Sequence, residues 1–370
     1  MKALHISDLH LGKIVNDVNM IEDQRFVLDQ ILEAIDSEGV DALFVSGDVY
    51  DKSNPSQEAM YLFNDFMTEL SAKNIVSFII SGNHDSSIRL SYLSDFLEDS
   101  DIFISKTFEG ELHRHQLTDE YGAINIFLLP FFKLSQAKNC LQQDFKNYDE
   151  AIEAIIAKAG INPEERNILL AHQFVSGALT SDSEEIIIGG LEGVSCNVFD
   201  IFDYVALGHL HRPQTVGRDS VRYSGSILKY SFSEVNDIKS MSIVNINEKN
   251  NITVETKPIR LLRDMKEYKG SYEYLYKLPY TEDYVKITLT DEEVVPDARI
   301  NLTSIFPNMM RFGIENSKTN TELSIKELES LESLSPIDLF KNFYMMQNNN
   351  VEPSDKQIQI ISDLITGEEI

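Results

Sequence analysis

The sequence predicts an α/β fold, and three observations carry that prediction. Short β-rich apolar runs alternate with longer stretches of helical periodicity. The apolar runs stop abruptly, often near a glycine, and a polar or ionisable residue follows. Hydrophobic residues make up 42% of the 370, a share that allows a sizeable core.

Taken in order, residues 3–7 form an apolar run ending at Asp8, and residues 21–38 have helical periodicity. Residues 42–46 form a second apolar run that stops at Gly47 and Asp48. Residues 58–73 are expected to be helical, and residues 75–80 a strand running into Ser81, Gly82, Asn83 and His84. Strands over 124–129 and 168–171 flank a helix over about 148–160, and residues 204–207 lead into Gly208 and His209. From about 221 the pattern turns to strands at 221–223, 241–246 and 252–259, which are expected to close a second sheet. A boundary is expected near 263–269. Beyond it, strands at 284–289 and 311–314 with a helix at 298–306 suggest a small α+β domain. Ser335 and Pro336 make a good helix start, residues 354–365 read as a second helix, and the polar run 347–350 reads as a loop or linker.

The repeated device of a strand ending in a ligand-type residue has a chemical consequence. In open α/β sheets ligands bind at the carboxyl ends of strands, so residues far apart in sequence converge there. Five motifs stand at such ends: Asp8-Leu9-His10, Gly47-Asp48-Val49, Gly82-Asn83-His84-Asp85, His172, and Gly208-His209-Leu210-His211. Each alone is weak; a lone histidine at a strand end is more often structural. The set is strong, because five of the 8 histidines occupy it. D-x-H and H-x-H put two side chains on the same side of a strand, since the pleat repeats every two residues. The mixed oxygen and imidazole donors suit Mn²⁺, Fe²⁺ or Zn²⁺ better than Mg²⁺ or Ca²⁺.

Charge points the other way. The net charge is −28. Residues 271–370 carry 18 acidic and 8 basic side chains, which leaves −18 for the first 270. Proteins that grip nucleic acid alone usually show a basic footprint. Bound divalent ions restore positive potential only locally, so a partner is expected to supply much of any phosphate binding. The opening residues read as a strand rather than a signal peptide, no run approaches the roughly 18 apolar residues of a membrane span, and Cys140 and Cys196 have no partner spacing. The cytoplasm is the expected compartment, with no membrane association.

The order DxH, GD, GNHD, H, GHxH resembles the signature of calcineurin-like metallophosphoesterases. The opening LHISDLHLGK, the loop GDVYDKSNPS, residues 206–214 (ALGHLHRPQ), 221–226 (VRYSGS), 231–234 (SFSE), Lys239-Ser240 and 334–340 (LSPIDLF) are similar to patterns of the bacterial SbcD family of nuclease subunits. This resemblance runs nearly end to end and is weakest over 265–330. It implies a four-layer αββα metallophosphoesterase sandwich over 1–265, a small α+β capping domain facing DNA over 266–330, and C-terminal helices over 331–370 that bind an ATPase partner. It implies two divalent ions, expected to be Mn²⁺. Asp8, His10 and His211 would hold one, Asn83, His172 and His209 the other, and Asp48 would bridge both. His84 would sit beside the scissile phosphate without being a ligand. Its expected role is to orient the phosphate and protonate the leaving oxygen, since a histidine titrates near working pH; a plain phosphate contact is the alternative. Either Asp85 or Asp51 could orient it.

The resemblance further implies double-strand exonuclease and single-strand or hairpin endonuclease action in DNA repair, replication and recombination. It also implies an SbcC-type ATPase partner and a homodimer within a heterotetramer. The helices at 21–38 and 58–73 are candidate dimer surfaces. Phe340, Phe343, Tyr344, Met345 and Met346 offer an apolar set that either docks on a partner or packs on its own domain. Arg212, Arg222 and Lys229 could touch DNA phosphates or sit in salt bridges. Tyr223, Ser224 and Ser226 could line the substrate groove or be ordinary loop. His5 is expected to be structural, and His113 and His115 to lie at the surface. The rivals are a metallophosphatase or phosphodiesterase acting on small molecules or proteins, and a structural subunit that tethers DNA ends. A scaffold has no need of seven ligands and a general acid.

Overall fold

The computed structural model describes residues 1–182, 184, 193–317, 336–348 and 351–366. The expected start of the C-terminal helix at Ser335, and the boundary near 330, lie outside the described residues. The chain forms two compact units, Met1–Asp264 and Met265–Ile370.

The first unit is built on two six-stranded mixed sheets. Strands β1 (Lys2–Ile6), β2 (Ala42–Ser46), β3 (Val76–Ile80) and β4 (Ile102–Ile104) run parallel in the first sheet. In the second, β5 (His113–Asp119) pairs antiparallel with β6 (Gly122–Leu129), which runs parallel to β7 (Arg166–His172) and β8 (Tyr204–Gly208). The short β9 (Gln214–Val216) and β10 (Arg218–Tyr223) complete that sheet, β10 parallel to β8.

The last two strands of the unit, β11 (Ser240–Ile246) and β12 (Ile252–Pro258), depart from expectation. They join the first sheet, β11 antiparallel to β1, and of the three strands expected in the second, β10 lies there. Strand propensity is local but strand pairing is not, so the apolar pattern marks the strands without marking their sheet.

The pleat explains the layers. Ala42 and Phe44 turn inward to meet Ile126, Leu128, Ile168 and Leu170 of the other sheet, while Leu43 and Val45 face the opposite way. Full burial of a side chain such as Phe44 is worth about 1.5–3 kcal/mol. Helices α1 (Ile21–Glu38) and α2 (Gln57–Ala72) flank the first sheet. α1 buries Val27, Leu28, Ile31 and Ile35 at helical spacing and stops at Gly39, whose φ of 63° suits glycine. α2 starts where Ser56 accepts the Ala59 N–H. On the outer face of the second sheet, α3 (Leu134–Leu141) and α4 (Tyr148–Ala159) bury Ala137, Ala151, Ile152 and Ile155 against Phe127, Leu129, Leu169 and Leu207. The fold is therefore α/β, with two mixed sheets packed face to face and helices outside them.

The second unit has a three-stranded parallel sheet of β13 (Met265–Gly270), β14 (Tyr284–Leu289) and β15 (Met309–Ile314). Helices α5 (Tyr272–Tyr276) and α6 (Ala298–Leu302) close a small core of Leu275, Val285, Ile287, Leu302 and Phe306. Helices α7 (Pro336–Gln347) and α8 (Asp355–Thr366) follow. α7 runs through Gln347, which the expected loop at 347–350 included, and residues 349–350 lie outside the described residues.

Candidate metal centre

The site lies where β1, β2 and β3 of one sheet and β7 and β8 of the other deliver their carboxyl ends. Backbone bonds knit these ends together. Asp8 N–H donates to Gly47 O at 3.0 Å and His10 N–H to Asp48 O at 2.9 Å. Across the sandwich, His172 Nδ1 donates to Ser46 O at 2.8 Å and Ser46 Oγ to Ala206 O at 2.9 Å. Asp8 Oδ1 accepts the His209 N–H at 2.9 Å, and Asp48 Oδ1 accepts the His84 N–H at 2.9 Å. Asp8, His10, Asp48 and His209 all have positive φ, at 52°, 44°, 49° and 105°. L residues seldom adopt that region, and such strain gathers at functional sites.

The side-chain donors converge. His10 Nε2 faces His211 Nε2 at 3.0 Å and lies 3.7 Å from Asp48 Oδ2. On the other side, Asp48 Oδ2 lies 3.4 Å from His172 Nε2. Asn83 Oδ1 lies 3.0 Å from both His172 Nε2 and His209 Nδ1. Donor atoms of Asp8, His10 and His211 fall within 4.8 Å of one another, as do those of Asp8, Asp48 and His172. His10, Asp48 and His84 form a third such group. Two imidazole nitrogens meeting nose to nose beside buried carboxylates fit a cation better than they fit one another. The donor set, nitrogen with carboxylate and amide oxygen, matches a borderline divalent metal.

Burial and charge oppose each other here. Burial raises Asp8 to about 6, against the pull of His172 and His211. Burial also penalises the Asp48 carboxylate, but His172, His10 and His84 outweigh it and hold Asp48 well below the usual range. Burial alone would discharge His172, yet Asp48 and Asp8 raise it to about 9. Burial drives His209 down to about 3 and His10 well below its ordinary value. A metal held by His172 would have to displace its proton. We expect apparent metal affinity to rise with pH up to about 9 and then level, as read by titration calorimetry. The sign for the metal-free fold is opposite. His172 is raised above its unfolded value, so its contribution is complete below about 6.5 and lost as pH climbs through 9.

The motif glycines leave room for neighbours that pack onto their α-carbons. A Cβ on Gly47 would overlap the His172 ring, one on Gly82 would overlap Asp48, and one on Gly208 would overlap Ser46 O. Gly82→Ala is expected to cost about 1–3 kcal/mol by overpacking and to lower metal content. Thermal unfolding and metal analysis of the same preparation measure both.

His84 Nδ1 lies 2.9 Å from the backbone carbonyl of Asp51. A carbonyl only accepts, so Nδ1 carries the proton and Nε2 is left for chemistry. Of the two expected residues it is Asp51 that meets the ring, through its backbone carbonyl and not its carboxylate. Asp85 instead accepts the N–H groups of Val49, Tyr50 and Gly82, pinning two loops together. The Asp51 carboxylate pairs with Lys13 at 2.6 Å.

Three expected groove residues are elsewhere. Tyr223, Ser224 and Ser226 are fully buried. Tyr223 Oη donates to Gln173 O and accepts the Val175 N–H, Ser224 Oγ donates to Ser7 Oγ, and Ser226 Oγ donates to Leu228 O. They brace the loops from behind. Arg212 pairs with Asp237 at 2.9 Å, Lys229 is buried and pairs with Asp264 at 2.8 Å, and Arg222 Nε donates to Ser242 Oγ at 2.9 Å. Arg212 keeps 35% of its side chain exposed beside the last proposed ligand pair. His5 is structural, buried against the Tyr204 hydroxyl at 2.9 Å. His115 is half-buried rather than at the surface, its ring 4.4 Å from that of Phe103.

Sequence reasoning missed Gln24, Tyr230, Glu234 and Lys239. Tyr230 Oη donates to Leu9 O at 2.5 Å, and its ring stands 5.5 Å from His10 and 5.9 Å from His211. Gln24 Nε2 donates to His10 O at 2.7 Å. A glutamine inside a helix pattern carries no mark of this. Glu234 and Lys239 lie within the family-like patterns, but no spacing ties them to the ligands.

The model of calcineurin-like phosphoesterases matches residues 1–213, and one described as type 5 capsule protein repressor C-terminal domain matches 261–348. A Staphylococcus epidermidis protein, named as the SbcD component of the nuclease SbcCD, is 32% identical over 383 residues, with 100% of both chains covered. Among solved structures, a dimetal phosphatase from Danio rerio is 14% identical over 70% of this chain and 96% of its own, with a TM-score of 0.41. An E. coli phosphoesterase is 13% identical over 70% of this chain and 100% of its own, with a TM-score of 0.29.

Proposed function

We propose, because the chain belongs to the calcineurin-like phosphoesterase family and within it to the SbcD family of nuclease subunits, that it is a Mn²⁺-dependent nuclease working on DNA ends with an SbcC-type ATPase. It is a phosphodiester-hydrolysing enzyme. The finer reading is double-strand exonuclease and single-strand or hairpin endonuclease action in DNA repair, replication and recombination.

The observation that carries the two-ion reading is Asp48. Its Oδ2 stands between His172 Nε2 at 3.4 Å and His10 Nε2 at 3.7 Å, one from each proposed ligand set. Asp8, His10 and His211 would hold one ion and Asn83, His172 and His209 the other, with Asp48 shared. When bound, a pair of divalent ions supplies Lewis-acid activation of water and neutralises charge on the phosphoryl oxygens. The chain's own residues do the rest. The positive-φ loops fix the donors, Asp51 O aims His84, and His84, when protonated on both ring nitrogens, would bind the phosphate through Nε2–H and hand that proton to the leaving oxygen. Arg212 is the remaining candidate for a DNA phosphate contact.

Residues 1–265 serve as the catalytic domain, 266–330 as the DNA-facing capping domain and 331–370 as the ATPase-binding segment. α7 supports the last assignment. Phe340 and Tyr344 pair their rings at 5.9 Å and Tyr344 accepts from Gln357 of α8, whereas Leu339 and Phe343 stay exposed, one turn apart. A half-packed, half-open helix fits docking better than self-packing alone. For the homodimer within a heterotetramer, α2 is the better surface, since Met60 and Tyr61 are more than half exposed on it. No described helix is long and apolar enough to cross a membrane, and the cytoplasm is the compartment proposed.

Deleting residues 335–370 should leave hydrolysis of a small phosphodiester within about twofold, while co-elution with the ATPase on gel filtration is lost. Intact co-elution of the truncated chain would remove that assignment. The rival reading, a phosphatase of small molecules or proteins, is tested by comparing p-nitrophenyl phosphate with its bis ester in Mn²⁺. Preference for the monoester would favour the rival.

A further inference from the structure

We propose that Glu234 and Lys239 form a buried clamp that positions His211, Glu234 holding its imidazole and Lys239 its backbone. The proposal deepens the two-ion reading and rests on it.

Both side chains are 0% exposed, and Lys239 Nζ meets Glu234 Oε2 at 2.5 Å. An ammonium has three N–H bonds, and all three are used here. Lys239 donates to His211 O at 2.8 Å, Ser226 Oγ at 2.9 Å and Glu234 Oε2. The other carboxylate oxygen, Glu234 Oε1, lies 3.5 Å from His211 Nδ1 and accepts the Tyr230 N–H at 3.3 Å. One buried ion pair therefore grips both ends of one residue.

Burying such a pair is seldom worth more to stability than apolar packing of the same volume. Its position over His211 gives it another purpose. A carboxylate at Nδ1 keeps the proton on that nitrogen and turns the Nε2 lone pair toward the ion, the usual arrangement behind a metal-binding histidine. His211 Nε2 points at His10 Nε2, its proposed co-ligand. Lys239 fixes the carbonyl, so the ring swings from a held backbone. Neither residue touches substrate; both are positioning residues.

The test uses the metal-free full-length chain titrated with Mn²⁺ by calorimetry, with the visible spectrum of the Co²⁺ form as a second readout. The variants are Glu234→Gln and the double variant Glu234→Gln with Lys239→Met. The double variant removes both charges together, so no ion is left buried and unpaired. One of the two binding steps, the one that His211→Ala abolishes, should weaken about 10–100-fold. The other step should hold, one Co²⁺ band set should change, and the thermal midpoint of the metal-free double variant should stay near the parent's. Two unchanged steps in a folded double variant would overturn the clamp. So would loss of the cooperative fold in both variants, which would make the pair a part of the core only. A parent chain that takes up fewer than two ions would instead count against the two-ion reading, whatever the variants do.

Discussion

Asp48→Ala should strip both metal positions at once and drop cleavage to background. The expectation follows from one oxygen. Asp48 Oδ2 approaches a histidine of each proposed set, His172 and His10. Losing a ligand that belongs to one ion would leave the other in place; losing a shared one removes the charge that holds both. The backbone suffers too, because Asp48 Oδ1 also accepts the His84 N–H and so ties the second motif to the third. In the metal-free variant His172 loses its main counter-charge and falls from about 9 toward its neutral form. Removing one partner of a buried charge pair typically costs about 3–5 kcal/mol, and neutralisation of the histidine recovers part of it. Metal content by plasma mass spectrometry, read beside a thermal melt, checks both effects. Retention of one ion per chain would contradict the bridge.

His84→Ala should do the reverse, keeping both ions while cleavage falls about 10²–10⁴-fold, the range of a positioned general acid. His84 stands within 4.8 Å of His10 and Asp48 donors, so proximity alone would admit it as a ligand. The two proposed sets and the proposed bridge are complete without it, and its Nδ1 is bonded to Asp51 O just as His172 Nδ1 is to Ser46 O, so metal content is the measurement that separates the roles. Its ring stands edge-on to His10, with centroids 4.8 Å apart, which places it beside the cluster. A melt unchanged from the parent would separate lost chemistry from lost structure. Loss of one ion in this variant would make His84 a ligand and leave the acid unassigned.

The legible part of this protein is its periodicity and its strand ends. Apolar runs at 42–46 and 204–207 are β2 and β8 with little shift, because buried parallel strands are apolar on both faces and end abruptly. The run at 168–171 extends in the structure to His172 itself, so the proposed ligand is the last residue of its strand. Polar strands hide. Met265–Gly270 reads MKEYKG, half-exposed, and in sequence looks like a domain boundary rather than a strand. The three-residue strand Ile102–Ile104 and helix α3 are too short to show a period.

At the site, the proposed ligands can be found because their types are rare and their order is specific. Residues that hold those residues cannot. Asp51 acts on His84 through its carbonyl, which its side chain does not announce. Tyr223 and Ser226 stand in conspicuous motifs yet are buried supports, since proximity in sequence to a ligand says nothing of which side of the loop a side chain takes.

The most direct test of the central claim is cleavage of end-labelled linear duplex DNA by the full chain in Mn²⁺, with the His84→Ala chain alongside. Progressive loss of label from the ends by the parent and not by the variant is the predicted result. Intact DNA beside brisk turnover of small phosphate esters by the parent would contradict it, and would make this two-metal cradle a phosphatase's.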